Sequence, residues 1–233
     1  MSLVFPVECR VCGREVESTD CGVACETCWA NTTIFTGSEM LCIKCGAFFA
    51  SRPSTTAVSR HQCDEQHYER AYAVGVYEKA LAASIVRLKT APVIPHRLSE
   101  ELGACVKRLN EINIDLVVPV PLSKQRFWER GFNQAEIIAK VVSRFCSIEI
   151  DAVSLARTTH TQMHRAGMDR RRRELTVVNA FELRRRRLIE GKNILLVDDV
   201  FTSGSTSSVC AQVLKAGGAK TVDVFTLARA VMN

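Results

Sequence analysis

Two kinds of residue in this chain are spaced for chemistry. Cysteine pairs recur as Cys9-Arg10-Val11-Cys12-Gly13, Cys25-Glu26-Thr27-Cys28-Trp29 and Cys42-Ile43-Lys44-Cys45-Gly46, and eight of the 11 cysteines precede residue 64. A C-x-x-C-G turn brings two thiolates onto one tetrahedral ion, the glycine letting the backbone reverse beneath the sulfurs. Cys25 and Cys28 lack that glycine, and their i, i+3 spacing suits the first turn of a helix. Cys9, Cys12, Cys25 and Cys28 therefore make one complete zinc site. Cys42, Cys45 and Cys63 make a second, whose fourth ligand is open between His61, His67 and Cys21. Four thiolates leave no position for substrate, so the metal's role is structural. The other reading of the same pairs is a redox dithiol or a set of small buried hydrophobes.

The second stretch is Ile194-Leu195-Leu196-Val197-Asp198-Asp199-Val200-Phe201-Thr202-Ser203-Gly204-Ser205-Thr206. Four apolar residues read as a central strand, with two carboxylates at the end where open α/β sheets bind ligands. A turn of Thr202, Ser203, Gly204, Ser205 and Thr206 then leads into a helix. Backbone N–H groups, hydroxyls and the helix N-terminus converge there, as a phosphate dianion requires. The loop has no Walker lysine and no three-glycine dinucleotide spacing. The same residues would also serve an ordinary strand-to-helix turn with Ser205 or Thr206 as cap. Carboxylates repel phosphate, so Asp198 and Asp199 must serve another part of the ligand: vicinal sugar hydroxyls or a metal ion. A ribose 5-phosphate satisfies both halves.

The elements that must position these groups are legible in outline. Strands are expected at Ala71–Tyr77, Ile114–Pro121 (ending in a Pro-stiffened loop), Ile148–Leu155, Ile194–Val197 and Thr221–Ala228. Helices are expected at Lys79–Lys89, Arg97–Leu109, Glu129–Phe145 and Ser205–Ala216, the third with Ala135, Ile138, Val142 and Phe145 on one stripe. Alternating strands and helices predict a parallel sheet covered on both faces. Residues 1–67 lack long apolar periodicity and need a metal as a staple, so the expected division is a cysteine-rich zinc module (1–67) and an α/β domain (68–233). The net charge is +6, and the window Arg165–Arg187 alone carries nine arginines against three acids, a local surface for an anionic partner. No apolar run approaches the roughly 20 residues of a membrane span. The start lacks a signal-peptide pattern. Both point to a cytoplasmic protein, where crowded cysteines bind metal rather than form disulfides.

The 13-residue acidic stretch resembles the phosphoribosyl-pyrophosphate (PRPP) motif of type I phosphoribosyltransferases. Val118-Pro119-Val120-Pro121-Leu122 followed by Arg130-Gly131-Phe132-Asn133-Gln134-Ala135 is similar to the competence protein ComF family, which also includes GntX-like proteins. That family sets a cysteine-rich zinc module ahead of a phosphoribosyltransferase domain. The resemblance implies a type I phosphoribosyltransferase-like sheet, Asp198 and Asp199 on the ribose hydroxyls, and the 202–206 turn on the 5-phosphate. It puts Val120 and Pro121 in the pyrophosphate loop, with Arg130 opening the next helix and reaching a ligand phosphate. It also implies Mg²⁺ and an Arg-rich catalytic flap containing Gln162, His164, Arg165 and Arg170–Arg173. Arg60 stands where the family's last C-x-x-C pair would begin. Two functions are compatible with it: transfer of phosphoribosyl from PRPP to an unidentified acceptor, or an accessory role in DNA uptake that binds single-stranded DNA.

Overall fold

A computed structural model describes residues 7–39, 41–42, 44–47, 63, 65–158 and 180–230. The flap residues Gln162, His164, Arg165 and Arg170–Arg173, and His61, lie outside the described residues. The main sheet has four parallel strands: β1 (Ala71–Val76), β2 (Leu116–Pro119), β5 (Asn193–Phe201) and β6 (Thr221–Arg229), in the order β1-β6-β5-β2. β5 is paired on both sides, with Leu195 opposite Val117 on one side and Asp223 on the other, and its residues 193–197 are all buried. A strand covered on two faces must read as a continuous apolar run, as Ile194–Val197 does.

Alternate residues divide the core in two. Val74, Val117, Leu195, Val197, Phe225 and Leu227 pack with helices α2 (Lys79–Leu88), α3 (His96–Lys107) and α5 (Gln134–Cys146). Leu116, Val118, Ile194, Leu196, Val222 and Val224 pack instead with α6 (Ser205–Ala216). Helices thus cover both faces, as the alternation predicted.

Three local expectations differ. The predicted helix 129–145 is two helices, α4 (Lys124–Arg130) and α5. Gly131 adopts a left-handed conformation (φ 79°) and closes α4, while Asn133 caps α5 by accepting from the Ala135 N–H at 3.2 Å. Arg130 therefore ends one helix and does not open the next. The predicted strand 148–155 shrinks to a single bridge, Ile150 beside Val117. Asp151 Oδ1 accepts from the N–H groups of Val153 and Ser154, each at 2.9 Å, and turns the chain away. The chain then forms β3 (Leu155–Arg157), antiparallel to β4 (Phe181–Leu183), so a separate ribbon brackets residues 159–179. β5 continues past the acids to Phe201 because β6 pairs with it as far as Arg229.

The N-terminal residues dock on this framework. α1 (Glu26–Ala30) carries Trp29 into the same core as α2 and α3. Thr33 and Phe35 exchange backbone hydrogen bonds with Val76 and Val74, adding an antiparallel segment beside β1. The approach requires glycine at position 75, where a Cβ would lie 2.3 Å from the Thr33 carbonyl oxygen. No helix among the described residues is long and apolar enough to cross a membrane.

Candidate phosphoribosyl and metal sites

Four cysteine sulfurs from two distant segments meet at Cys9, Cys12, Cys25 and Cys28, all within 4.8 Å of one another. Cys9 and Cys28 are 3.7 Å apart and Cys12 and Cys25 3.6 Å. A tetrahedron with Zn–S bonds of about 2.3 Å has sulfur–sulfur edges of about 3.8 Å, so the donor set fits zinc. Cys25 is the N-cap of α1, which sets Cys28 one turn on, and the Cys25 N–H donates to the Cys9 sulfur at 3.3 Å. The Arg14 guanidinium, 3.5 Å from the Cys12 sulfur, draws that thiol down to about 6, towards the thiolate a metal needs.

Cys42, Cys45 and Cys63 form the second cluster, likewise within 4.8 Å. Neither candidate fourth ligand among the described residues joins it. Cys21 lies in the other core, its carbonyl accepting from the Trp29 indole at 3.0 Å, and His67 is exposed. Three thiolates among the described residues suit zinc with one further donor. This cluster packs into the α6 side of the sheet, close behind the 202–206 turn. Arg229 links the two: it donates to the Cys45 carbonyl, reaches the Cys45 sulfur at 3.7 Å and lies 4.7 Å over the Phe201 ring.

The carboxyl edge of the sheet holds a cavity of about 440 Å³. Register explains its floor. Pro119 is opposite Val197, and the Val120 N–H donates to the Val197 carbonyl at 2.8 Å, so the loops after β2 and β5 stand side by side. Asn133 holds the first of them through its amide, which donates to the Val120 carbonyl at 3.0 Å. Asp198, Asp199, Thr202, Thr206, Val120, Pro121 and Arg130 all line this space. Ser203, Gly204 and Ser205 form the turn beneath it; the hydroxyls of Ser203 and Ser205 are 2.8 Å apart. Gly204, with φ 76°, is the N-cap of α6, a position expected for Ser205 or Thr206. A side chain there would collide with Phe201 and Tyr68.

Lys89, Arg126 and Arg157 also line the cavity and escaped the sequence reading. Arg126 had a signal, since it precedes Arg130 by one helical turn. Arg157 had none, because β3 is brought over the site only by the ribbon. With Arg130 they give four cations around two carboxylates. Burial pushes Asp198 up to about 7, and the Asp199 charge adds to this, while Arg157 and the Asp199 N–H (2.9 Å) oppose it. Burial also lowers Arg157, with Arg126 acting in the same sense and Asp198 against. Arg165 falls outside the described residues, between β3 and β4.

Fold and site together define a class: an α/β protein with a four-stranded parallel sheet covered by helices on both faces, a cavity at its carboxyl edge, and a small cysteine-rich N-terminal module able to hold zinc. No family model matches the chain. Its relatives are more specific. It is 31% identical over 173 aligned positions to competence protein F of Haemophilus influenzae, covering 71% of this chain and 75% of that protein. It is 29% identical over 241 positions to the DNA utilization protein YhgH of Shigella flexneri, covering 97% and 99%. Competence protein ComFC of Bacillus subtilis matches at 32% over 119 positions, 49% and 44%. The chain belongs to the ComF family. Solved structures resemble it more weakly. A purine phosphoribosyltransferase from Pyrococcus horikoshii OT3 aligns at 13% identity and TM-score 0.37, over 58% of this chain and 87% of that one. Glutamine PRPP amidotransferase from B. subtilis aligns at 18% and 0.38, over 55% and 26%. Likeness at that level adds nothing to what sheet order and the strand-end turn define.

Proposed function

We propose that the 440 Å³ cavity binds PRPP, or a related ribose 5-phosphate, and that the protein transfers the phosphoribosyl group to an acceptor. The observation that carries this reading is the pairing of two strand-end carboxylates with four cationic side chains in one cavity above a helix-capping turn. A simple phosphate site would not tolerate the carboxylates; a sugar flanked by phosphates uses both. Asp198 and Asp199 accept from the ribose hydroxyls, and the 202–206 turn donates to the 5-phosphate. Arg126 and Arg130, beside the Val120-Pro121 loop, face the diphosphate. In the transfer, the bond between the ribose anomeric carbon and the pyrophosphate oxygen breaks, its electron pair leaving with pyrophosphate, and the acceptor's lone pair forms the new bond. Cationic groups that meet the charge developing on the leaving oxygens lower the barrier. Arg165 and Arg170–Arg173, carried between β3 and β4, take that role in this reading. Asp198 and Asp199 are the carboxylates in the cavity that could also hold Mg²⁺, which would supply further charge neutralisation. Calorimetry with PRPP and Mg²⁺ tests the reading: the parent should bind, and Asp198→Asn/Asp199→Asn should not, without unfolding. Equal affinity would reduce the acids to strand-end charges. Pyrophosphate release across a panel of acceptors then tests transfer.

A second reading is supported by the relatives' names, which refer to competence and DNA utilization. In it the protein is an accessory of DNA uptake that binds single-stranded DNA, and the ribose-phosphate cavity regulates that binding or is idle. Neutralising Arg165 and Arg170–Arg173 separates the two. A catalytic flap loses turnover far more than PRPP affinity. A DNA grip loses affinity and salt dependence instead. Unchanged DNA affinity at two salt concentrations excludes the flap as the DNA contact.

A further inference from the structure

Helix α4 is unusual in burying none of its seven residues. Ser123 caps it by accepting from the Arg126 N–H at 3.3 Å, and Gly131 ends it, so the helix is defined by its caps and not by a core-facing stripe. Yet it carries two large aromatic rings. Trp128 is 86% exposed and Phe127 47%. Contiguous exposed apolar surface, unlike rings scattered singly, marks a binding surface. One side of the same helix sends Arg126 and Arg130 into the ribose-phosphate cavity. The other, with Lys124, Phe127 and Trp128, lines a neighbouring groove of about 450 Å³, and the two spaces share Pro121, Leu122 and Asn133. Cations and aromatic faces therefore alternate across two turns of helix.

Charge selects the occupant. Of the nearby acids, Glu136 pairs with Lys140 at 2.7 Å, and Glu129, which accepts from the neutral Gln125 at 3.0 Å, keeps its charge. Against that one charge α4 carries three cations, Lys124 beside the rings and Arg126 and Arg130 on the cavity side. The helix bears no aliphatic side chain for a partner's apolar ridge. Phe181, the ring adjoining the Arg-rich stretch in sequence, is unavailable for stacking, since it is 6% exposed and covered by the Arg157 guanidinium at 5.1 Å.

We infer that α4 is a stacking platform for single-stranded nucleic acid, with Trp128 and Phe127 taking bases and Lys124 taking backbone phosphate at the rim of the ribose-phosphate cavity. This rests on the second reading of function and locates the contact that reading leaves open. Bases stack on exposed rings whatever their identity, and the adjacent cations track the backbone.

The protein supplies its own reporter. Of its two tryptophans, Trp29 is 3% exposed and Trp128 86%, so a stacked base quenches the emission of Trp128 alone. The full zinc-loaded chain is titrated with an oligo-dT of about 12 nucleotides, within the usual site sizes, and with a duplex of equal length. Quenching is expected with the single strand and not with the duplex. Trp128→Ala should weaken single-strand binding about 5- to 140-fold, the range for one lost stack, with its salt slope unchanged. Trp128→Phe should retain affinity within a few-fold by anisotropy of labelled oligo-dT, and Lys124→Ala should lower the salt slope by about 0.7. Since Trp128 and Lys124 are exposed, all three variants should melt with the parent. If the parent binds oligo-dT and Trp128→Ala binds as tightly, the platform is refuted and the second reading stands. If the parent does not bind, that reading fails and takes the platform with it. Equal quenching by duplex refutes stacking. Trp128-dependent self-association or binding to anionic vesicles, with oligo-dT binding untouched, assigns the surface elsewhere.

Discussion

Replacing Gly204 by alanine tests the proposed phosphate-binding role of the 202–206 turn at its most constrained atom. The residue sits at φ 76°, a left-handed conformation that costs an L-residue about 1–2 kcal/mol. Its new Cβ would lie 2.6 Å from Phe201 Cζ and 2.8 Å from Tyr68 Oη. Neither ring has room to yield. Tyr68 is 1% exposed and stands edge-on to Phe201 at 6.0 Å, while Phe201 is pressed beneath Arg229, which is anchored on Cys45. Overpacking of this kind costs about 1–3 kcal/mol. The total, roughly 2–5 kcal/mol, divides between two outcomes. Either the turn shifts and PRPP affinity falls, or it holds and the fold is destabilised. At 1.36 kcal/mol per decade, the whole amount placed on binding is a loss of about 30-fold to several thousand-fold. Calorimetry with PRPP and Mg²⁺, together with denaturant unfolding, measures both shares. Gly191 is the control, with φ 72° and open space around its Cβ position. Gly191→Ala should lose about 1–2 kcal/mol of stability and no affinity. A Gly204→Ala protein within about 0.5 kcal/mol of the parent in both measurements would refute the buttressed turn, since surface changes fall in that range.

Asp198 governs a pH dependence whose sign follows from its burial. With an unfolded value near 3.8 and a folded value of about 7, the folded state keeps a proton that the unfolded state has released, so stability falls as pH rises through that window. Asp198→Asn should match the parent at pH 4 and exceed it at pH 8 in denaturant unfolding; a shallower slope remains, because burial also pushes Asp223 up to about 6. A parent whose stability is level from pH 4 to 8 would refute the burial argument. For the metal, the full chain should hold one to two zinc ions by elemental analysis, and Cys25→Ser should lose one of them. Because Trp29 shares a core with Cys25 and Cys28, that loss should shift its emission to the red; zinc lost with Trp29 unchanged would separate the metal from this packing.

The parts of this protein legible from sequence are those whose geometry closes within a few residues. A C-x-x-C turn, and the strand, acids, turn and helix from Ile194 to Ala216, depend on local spacing and local hydrogen bonds. Helix α6 accordingly has the bounds expected of it, and Asp198, Asp199, Thr202 and Thr206 share the cavity as their contiguity requires. Even locally, competing signals misled: the apolar stripe of Ala135, Ile138 and Val142 concealed the helix break, because a periodic pattern carries no information about a left-handed glycine just before it. What required the tertiary structure is convergence between segments far apart in sequence. Arg126 and Arg157 line one cavity with Asp198 only because Pro119 falls opposite Val197 and the Asp151 turn sends β3 out of the main sheet. The same holds for Arg229, whose position opposite Phe201 in the β5–β6 register ties the second cysteine cluster to the back of the 202–206 turn. Strand register is set by the summed burial of two faces. No single segment carries that sum, so it appears only when the whole sheet is assembled.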